Sequence, residues 1–338
     1  MRTDARLTAA IGLHEHTEQL TSGAIQLPGY DVEFPEISPI IAAFRRMVRQ
    51  LEFDVCELAP TTYLVARAAG VEITALPVFL TREFHFTNIV CGAGSGIEKP
   101  ADLEGRRVGV RAYTVSTGVW ARSLLRTEYG VDPNAITWIV DDEEHVESYA
   151  LPPNVIRAPH GASIASLFLA GELDAAFTGP AGIGRSGPPR AGWDQAGGDP
   201  SGRTHYPLFD NPGELERAYY QATGIYPLHG LVAVKRAVAD RYPELCGLLR
   251  QAFDTAKQPF LDRLRSASPE TSASPETSGS PETSGEFAHY RALRSVVGDD
   301  PLPYGIDANR PSIDALLDAV VDQRILRSRP AVEDLFSA

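Results

Sequence analysis

The sequence predicts an α/β protein. Three observations carry the prediction: the chain has 338 residues, short apolar runs alternate along it with amphipathic helical patterns, and its 43% hydrophobic and 22% charged content is that of an ordinary globular protein. A chain of this length forms two domains or one large α/β domain, and either buries a sizeable core.

The elements follow in order. "LTAAIGL" (7–13) reads as a first strand, and "SPIIAAFRRMVRQLEF" (38–53) as an amphipathic helix with Ser38 as N-cap and Pro39 in its first turn. "FDVCEL" is the second strand, and "PTTYLVARAAG" a helix closed by Gly70. "ITALPVFLT" and "HFTNIVCG" are extended pieces. A new unit opens at "EKPADLEG" with the strand "RRVGVR", a polar loop and a helix ending near Gly130. "AITWIVDD", "NVIRAP" and "LDAAFTG" are further strands, with "SIASLFLAGE" a helix before the last of them. "IYPLHGLVAVKR" returns to strand character, and "YPELCGLLRQAFDTAKQ" and "SIDALLDAVVDQRIL" are helices.

Bulk properties exclude several classes of function. A net charge of −13 with no block of Lys or Arg argues against a nucleic-acid partner. No apolar run approaches the ~18 residues of a membrane-spanning helix. The cysteines, Cys56, Cys91 and Cys246, are odd in number and far apart, which suits a reducing compartment and offers no zinc spacing. The first residues lack the apolar stretch of an export signal, so the expected location is the cytoplasm. Residues 266–286 repeat SPET from Ser268, Ser274 and Ser280, and with almost no apolar side chains they read as a disordered insertion between two helices. The apolar C-terminal helices suit a homodimer face and core packing equally.

The second unit carries a resemblance. "PADLEGRRVGVRAYTVSTGVWARSLL", followed by "SIASLFLAGELDAAFTG", resembles the periplasmic-binding-protein-like (type II) fold of sulfonate, nitrate and thiamine-precursor binding proteins. That resemblance implies two α/β lobes joined by two hinge-crossing strands, with residues 1–90 and 225–338 in one lobe, 91–224 in the other, and a small ligand held between them. Adding "GLHEHTEQLTSG", "FDVCELAPTTYL", "ALPVFLTREFHFTNI", "TGIYPLHGLVAVKR" and "PLPYGIDANRPSIDALL" narrows it to the 4,5-dihydroxyphthalate decarboxylase family over nearly the whole chain. The family's pattern near the start reads G-D-Y-D-H-T. Here Gly12, His16 and Thr17 match it, while Leu13, His14 and Glu15 depart from it. "FTGPAG" (177–182) and the Gly/Pro-rich stretch after it are also idiosyncratic.

The resemblance implies a cofactor-independent carboxy-lyase acting on a hydroxylated aromatic carboxylate. Such a reaction needs cations and oriented N–H groups for the carboxylates, and a proton for the ring carbon that loses CO₂. Arg82 and Arg111 supply charge. Thr114, Ser116 and Thr117, with Tyr113, lie where a helix N-terminus can cradle an anion, although simple capping explains them as well. His16, His85 and His229 are candidate proton donors, with Glu57 to orient one of them or accept a phenolic proton; His14 and Thr17 are candidate substrate contacts. His14 and His16 on one strand would share a face and, with His85, His229 or Glu57, could chelate a divalent metal; no H-E-x-x-H motif accompanies them. Two alternatives stand beside the decarboxylase: a transporter's solute-binding protein, and another lyase or rearrangement enzyme of secondary metabolism on the same fold.

Overall fold

The computed structural model describes residues 5–183, 204–267 and 285–337. The chain divides into two units: residues 1–83, 216–315 and 329–338, and residues 84–215 with 316–328. The division thus falls at 83/84 and 215/216 instead of the expected 90/91 and 224/225, and residues 316–328 join the second unit. The SPET repeat and most of the Gly/Pro-rich stretch lie outside the described residues, so the disorder expected of the repeat lies outside them too.

Unit 1 is built on a five-stranded sheet of order β2-β1-β3-β11-β4. Its strands are β1 (Ala5–Ala10), β2 (Tyr30–Glu33), β3 (Val55–Leu58), β4 (Ile73–Arg82) and β11 (Leu228–Lys235). β1 runs parallel to β2 and β3, and β11 lies antiparallel between β3 and β4. All four β3 side chains are buried, as a strand covered on both faces requires. α1 (Glu18–Thr21), α2 (Ile41–Gln50), α3 (Pro60–Ala68), α7 (Arg236–Arg241), α8 (Leu245–Ser266) and α9 (Glu286–Val297) complete the unit. α8 sets Leu245, Leu249 and Phe253 into one core with Leu7, Val55, Leu76, Val78 and Val232. α2 starts later than the sequence suggested. Ile40, not Ser38, is its N-cap, and the Ser38–Pro39 bond is cis.

Unit 2 holds a six-stranded sheet of order β10-β5-β9-β6-β7-β8. These strands are β5 (Ile89–Gly92), β6 (Arg107–Gly109), β7 (Thr137–Val140), β8 (Val155–Arg157), β9 (Ala175–Phe177) and β10 (His205–Pro207). α4 (Ser116–Tyr129) follows β6, and α5 (Ile164–Leu169) packs Ile164, Leu167 and Phe168 against Ile139, Leu173 and Ala176. Gly109 makes that packing close: a Cβ there would stand 2.6 Å from Ile164 and 2.7 Å from Leu173. Gly130 ends α4 in the left-handed region, as expected. α6 (Pro212–Thr223) and α10 (Arg310–Asp322) contain two of the points where the chain divides. Gln323, just beyond α10, accepts from the fully buried Arg122 at 2.8 Å and donates to the Val119 carbonyl at 2.8 Å. Among the described residues, no helix is long and apolar enough to cross a membrane.

Candidate functional site

In unit 1, β1 stops at Ala10, and the chain turns through Gly12–Thr17 into α1. His14 and His16 therefore sit on a turn and not on the strand predicted for them. The Thr17 N–H closes that turn on the His14 carbonyl at 3.0 Å, and the two imidazoles stack with centroids 5.2 Å apart. Thr17 is fully buried, and its hydroxyl donates back to the same carbonyl at 3.2 Å.

Each histidine has its own carboxylate. Glu57, on neighbouring β3, accepts the Gly12 N–H at 2.9 Å and bonds His14 Nε2 at 2.8 Å. Glu286, the first residue of α9, accepts from the Glu15 N–H and from His16 Nδ1. The two rings are thus paired with different carboxylates.

Two glycines make room for Glu57. A Cβ on Gly12 would lie 2.8 Å from His14 Nε2 and 2.9 Å from Glu57 Oε2, while one on Gly230 would lie 2.5 Å from Thr81 Oγ1 and 3.0 Å from Glu57 Oε1. Gly230 also sits where the β11–β4 register shifts, as a bulge beside a functional group commonly does.

Burial sets the electrostatics of this cluster. It works to raise the Glu57 carboxyl, but the charge and hydrogen bond of His14, with the Gly12 N–H, outweigh it and hold the group below its ordinary value. Glu286 is likewise pushed up by burial and brought below its ordinary value by its hydrogen bond with His16. For His16, wholly enclosed, desolvation prevails over Glu286 and lowers the imidazole below its usual range. The His14 side chain remains 14% exposed, the most accessible of the two imidazoles and Glu57.

The other predicted residues fall elsewhere. Arg82, at the end of β4, is buried. Its guanidinium donates to Asn309 Oδ1 and the Tyr226 carbonyl and lies 4.3 Å over the Tyr226 ring, and burial pushes its pKa down to about 10. These bonds make it a tie among β4, the turn that leads into α10 and the chain leading to β11. His229, on β11, lies 3.3 Å from the Glu83 carboxylate. Glu216, on α6, is buried and raised to about 8 by desolvation and by Glu83. His85 belongs to unit 2, where its Nδ1 is 3.0 Å from Asn88 Oδ1.

The expected anion cradle of unit 2 holds carboxylates of the chain itself. The Tyr113 and Thr114 N–H groups donate to Glu144 at 2.6 and 3.0 Å, joined by the Thr114 hydroxyl, and Arg111 pairs with Asp142 at 3.4 Å. Val115 is the N-cap of α4, so Ser116 and Thr117 are its first two helical residues. Both are buried.

Comparison with known proteins places this arrangement. Residues 24–185 match a family model described as "ABC transporter, phosphonate, periplasmic substrate-binding protein". A 4,5-dihydroxyphthalate decarboxylase of Comamonas testosteroni is 32% identical over 320 residues, which cover 92% of this chain and 90% of that protein. One of Pseudomonas putida is 34% identical over 177 residues, covering 50% of this chain and 68% of that protein. The chain belongs to the 4,5-dihydroxyphthalate decarboxylase family.

Solved structures agree on the fold of this decarboxylase-family member. The periplasmic aliphatic sulphonate binding protein SsuA of Escherichia coli superimposes with a TM-score of 0.51 at 14% identity, covering 98% of this chain and 97% of that one. The desulfurization enzyme DSZB superimposes with a TM-score of 0.53 at 15% identity, covering 98% and 96%. The fold is periplasmic-binding-protein-like, as the sequence predicted. Sequence reasoning missed Glu286, because composition assigned it to the SPET insertion. The available signal was Gly285 followed by an acidic residue at the start of "EFAHYRALR", the pattern of a helix first turn. It also missed Asp142, at the end of the strand read as "AITWIVDD", and Glu144 just beyond it.

Proposed function

We propose that this protein is a decarboxylase that removes CO₂ from a hydroxylated aromatic carboxylic acid of the 4,5-dihydroxyphthalate kind, without a cofactor, and that a histidine of unit 1 protonates the ring carbon. The names of its relatives support the reaction class. One observation supports the mechanism above the rest: a partly exposed imidazole, His14, is paired at 2.8 Å with a buried carboxylate held below its ordinary value. A carboxylate so placed stabilises the imidazolium, and an imidazolium is an acid of suitable strength near neutral pH. The hydroxyl para to the departing carboxylate supplies the electrons that the ring needs as the C–C bond breaks.

The test is incubation of metal-stripped protein with 4,5-dihydroxyphthalate, following CO₂ and 3,4-dihydroxybenzoate. Stoichiometric release of both is expected, with loss of turnover and retained substrate binding in His14→Gln. The match to a phosphonate-binding family model favours a second reading, a solute-binding protein. Tight binding with no turnover in the same assay would establish that reading in place of the first. In keeping with the decarboxylase reading, we place the protein in the cytoplasm, acting on a small aromatic carboxylate.

A further inference from the structure

The Glu286 carboxylate touches the Glu15 N–H and His16 Nδ1. An ionised carboxylate only accepts hydrogen bonds, so the hydrogen in the second contact belongs to Nδ1. His16 is enclosed by His14, Phe260 and Glu286, with Glu57 within electrostatic reach, and its burial keeps a second proton off the ring. Nε2 therefore carries a lone pair. That atom is buried and has no hydrogen-bond partner among the described residues. An unfilled buried acceptor is costly, and beside a carboxylate–imidazole pair it marks the place where a donor arrives.

We infer that Glu286 is a positioning residue: it holds His16 with Nε2 as acceptor, so that His16 takes the phenolic proton of a bound catechol carboxylate while His14 protonates the ring carbon. The inference rests on the decarboxylase reading and divides its proton chemistry between two imidazole–carboxylate pairs. The phenolic O–H bond breaks and its proton forms an N–H bond at His16 Nε2. The oxygen electrons move into the ring, a C=O forms, and the carbon para to it takes the proton released by the His14 N–H bond. The C–C bond to the carboxylate then breaks and CO₂ leaves. Its electron pair restores the aromatic ring, and the resulting phenolate recovers the proton from His16. The net change is one proton replacing CO₂, and solvent returns that proton to His14.

Two measurements test this. The first needs no variant at Glu286: in protein labelled with ¹⁵N in its imidazoles, the His16 signals, assigned by their loss in His16→Gln, should show a protonated Nδ1 and a pyridine-type Nε2 near neutral pH. A protonated Nε2 overturns the inference. The second uses 4-nitrocatechol, whose visible absorption reports ionisation, bound below its solution pKa. Wild-type protein and His14→Gln should bind it as the phenolate, and Glu286→Ala as the neutral phenol. Glu286→Ala should also lose about 10²-fold or more in kcat with little change in KM. Glu286→Gln should restore part of both, since its amide oxygen still accepts from Nδ1. Wild-type turnover and ionisation in a folded Glu286→Ala protein would overturn the assignment. If wild-type protein ionises 4-nitrocatechol but releases no CO₂ from 4,5-dihydroxyphthalate, the decarboxylase reading fails and the base at His16 stands.

Discussion

Adding one methyl group at Gly12 should disconnect the His14–Glu57 pair. An alanine Cβ there would stand 2.8 Å from His14 Nε2 and 2.9 Å from Glu57 Oε2, closer than real Cβ contacts come, and both atoms are the ends of side chains. The backbone is left where it is and the two functional groups move. Glu57 then loses its bond to His14, to the Gly12 N–H, or to both, each at 2.8–2.9 Å in the native protein. A hydrogen bond to a charged group contributes ~1.5–3 kcal/mol, so Gly12→Ala should destabilise the protein by roughly that amount. For a domain of this size that is a fall in Tm of roughly 3–10 °C.

The control is Gly247, inside α8, where a Cβ would meet nothing within 4 Å. Gly247→Ala should stabilise the protein by about 0.5–1 kcal/mol through helix propensity alone. Thermal melts of both variants beside decarboxylation assays separate the two effects. Gly12→Ala should also lose turnover by a factor well beyond what its remaining folded fraction explains. If Gly12→Ala melts and turns over like wild type, Glu57 is not held by this geometry, and its role in the site is refuted.

Three further outcomes are expected. Arg122→Ala should cost about 3–5 kcal/mol by stranding the Gln323 amide oxygen and the Tyr113 carbonyl, and Arg122→Lys should recover little, because one ammonium cannot reproduce the guanidinium's two directed bonds and its stacking 4.0 Å over Tyr113; urea unfolding measures both. Glu216, raised from 4.5 to about 8, binds its proton more tightly in the folded protein than in the unfolded chain, so it opposes folding increasingly as pH rises from 4.5 through about 8. Glu216→Gln should therefore melt close to wild type in acid and above it beyond pH 8. Glu57 and Glu286 lie below 4.5 and His16 below 6.5, so the unfolded chain takes up more protons at each; Glu216 offsets His16 between 4.5 and 6.5, and the net loss of stability among these groups should set in below 4.5, with a smaller acid loss in Glu286→Gln.

The sheet and most helices were legible because their apolar periods are local. "ITALPVFLT" becomes β4, "PTTYLVARAAG" becomes α3 with Gly70 at φ 83°, and "LVAVK" lies within β11. The site was legible only in part. His14, His16 and Glu57 sit in or beside recognisable strands, so their meeting follows from the parallel pairing of Ala9 with Val55 and Ala10 with Cys56. Glu286 approaches from 270 residues away along the chain, and no local pattern encodes such a partner. The same holds in unit 2. Arg111 and Thr114 looked suited to an external anion because the sequence does not reveal that Asp142 and Glu144, thirty-one and thirty residues on, fold back onto them.

How each buried carboxylate is compensated decides what it can do. Glu144 accepts from two N–H groups and a hydroxyl, donors that do not give up their protons near neutral pH, so these bonds anchor its loop. Glu216 meets its burial by keeping its own proton up to about pH 8, and its ionisation is tied to Glu83. Glu57 and Glu286 face imidazoles, groups whose protonation changes near neutrality. The two imidazoles are stacked 5.2 Å apart, so a charge on one disfavours a charge on the other. One proton shared between two such pairs leaves an acid on one ring and a base on its neighbour, which is the division of labour that replacing CO₂ by a proton on a phenolic ring requires.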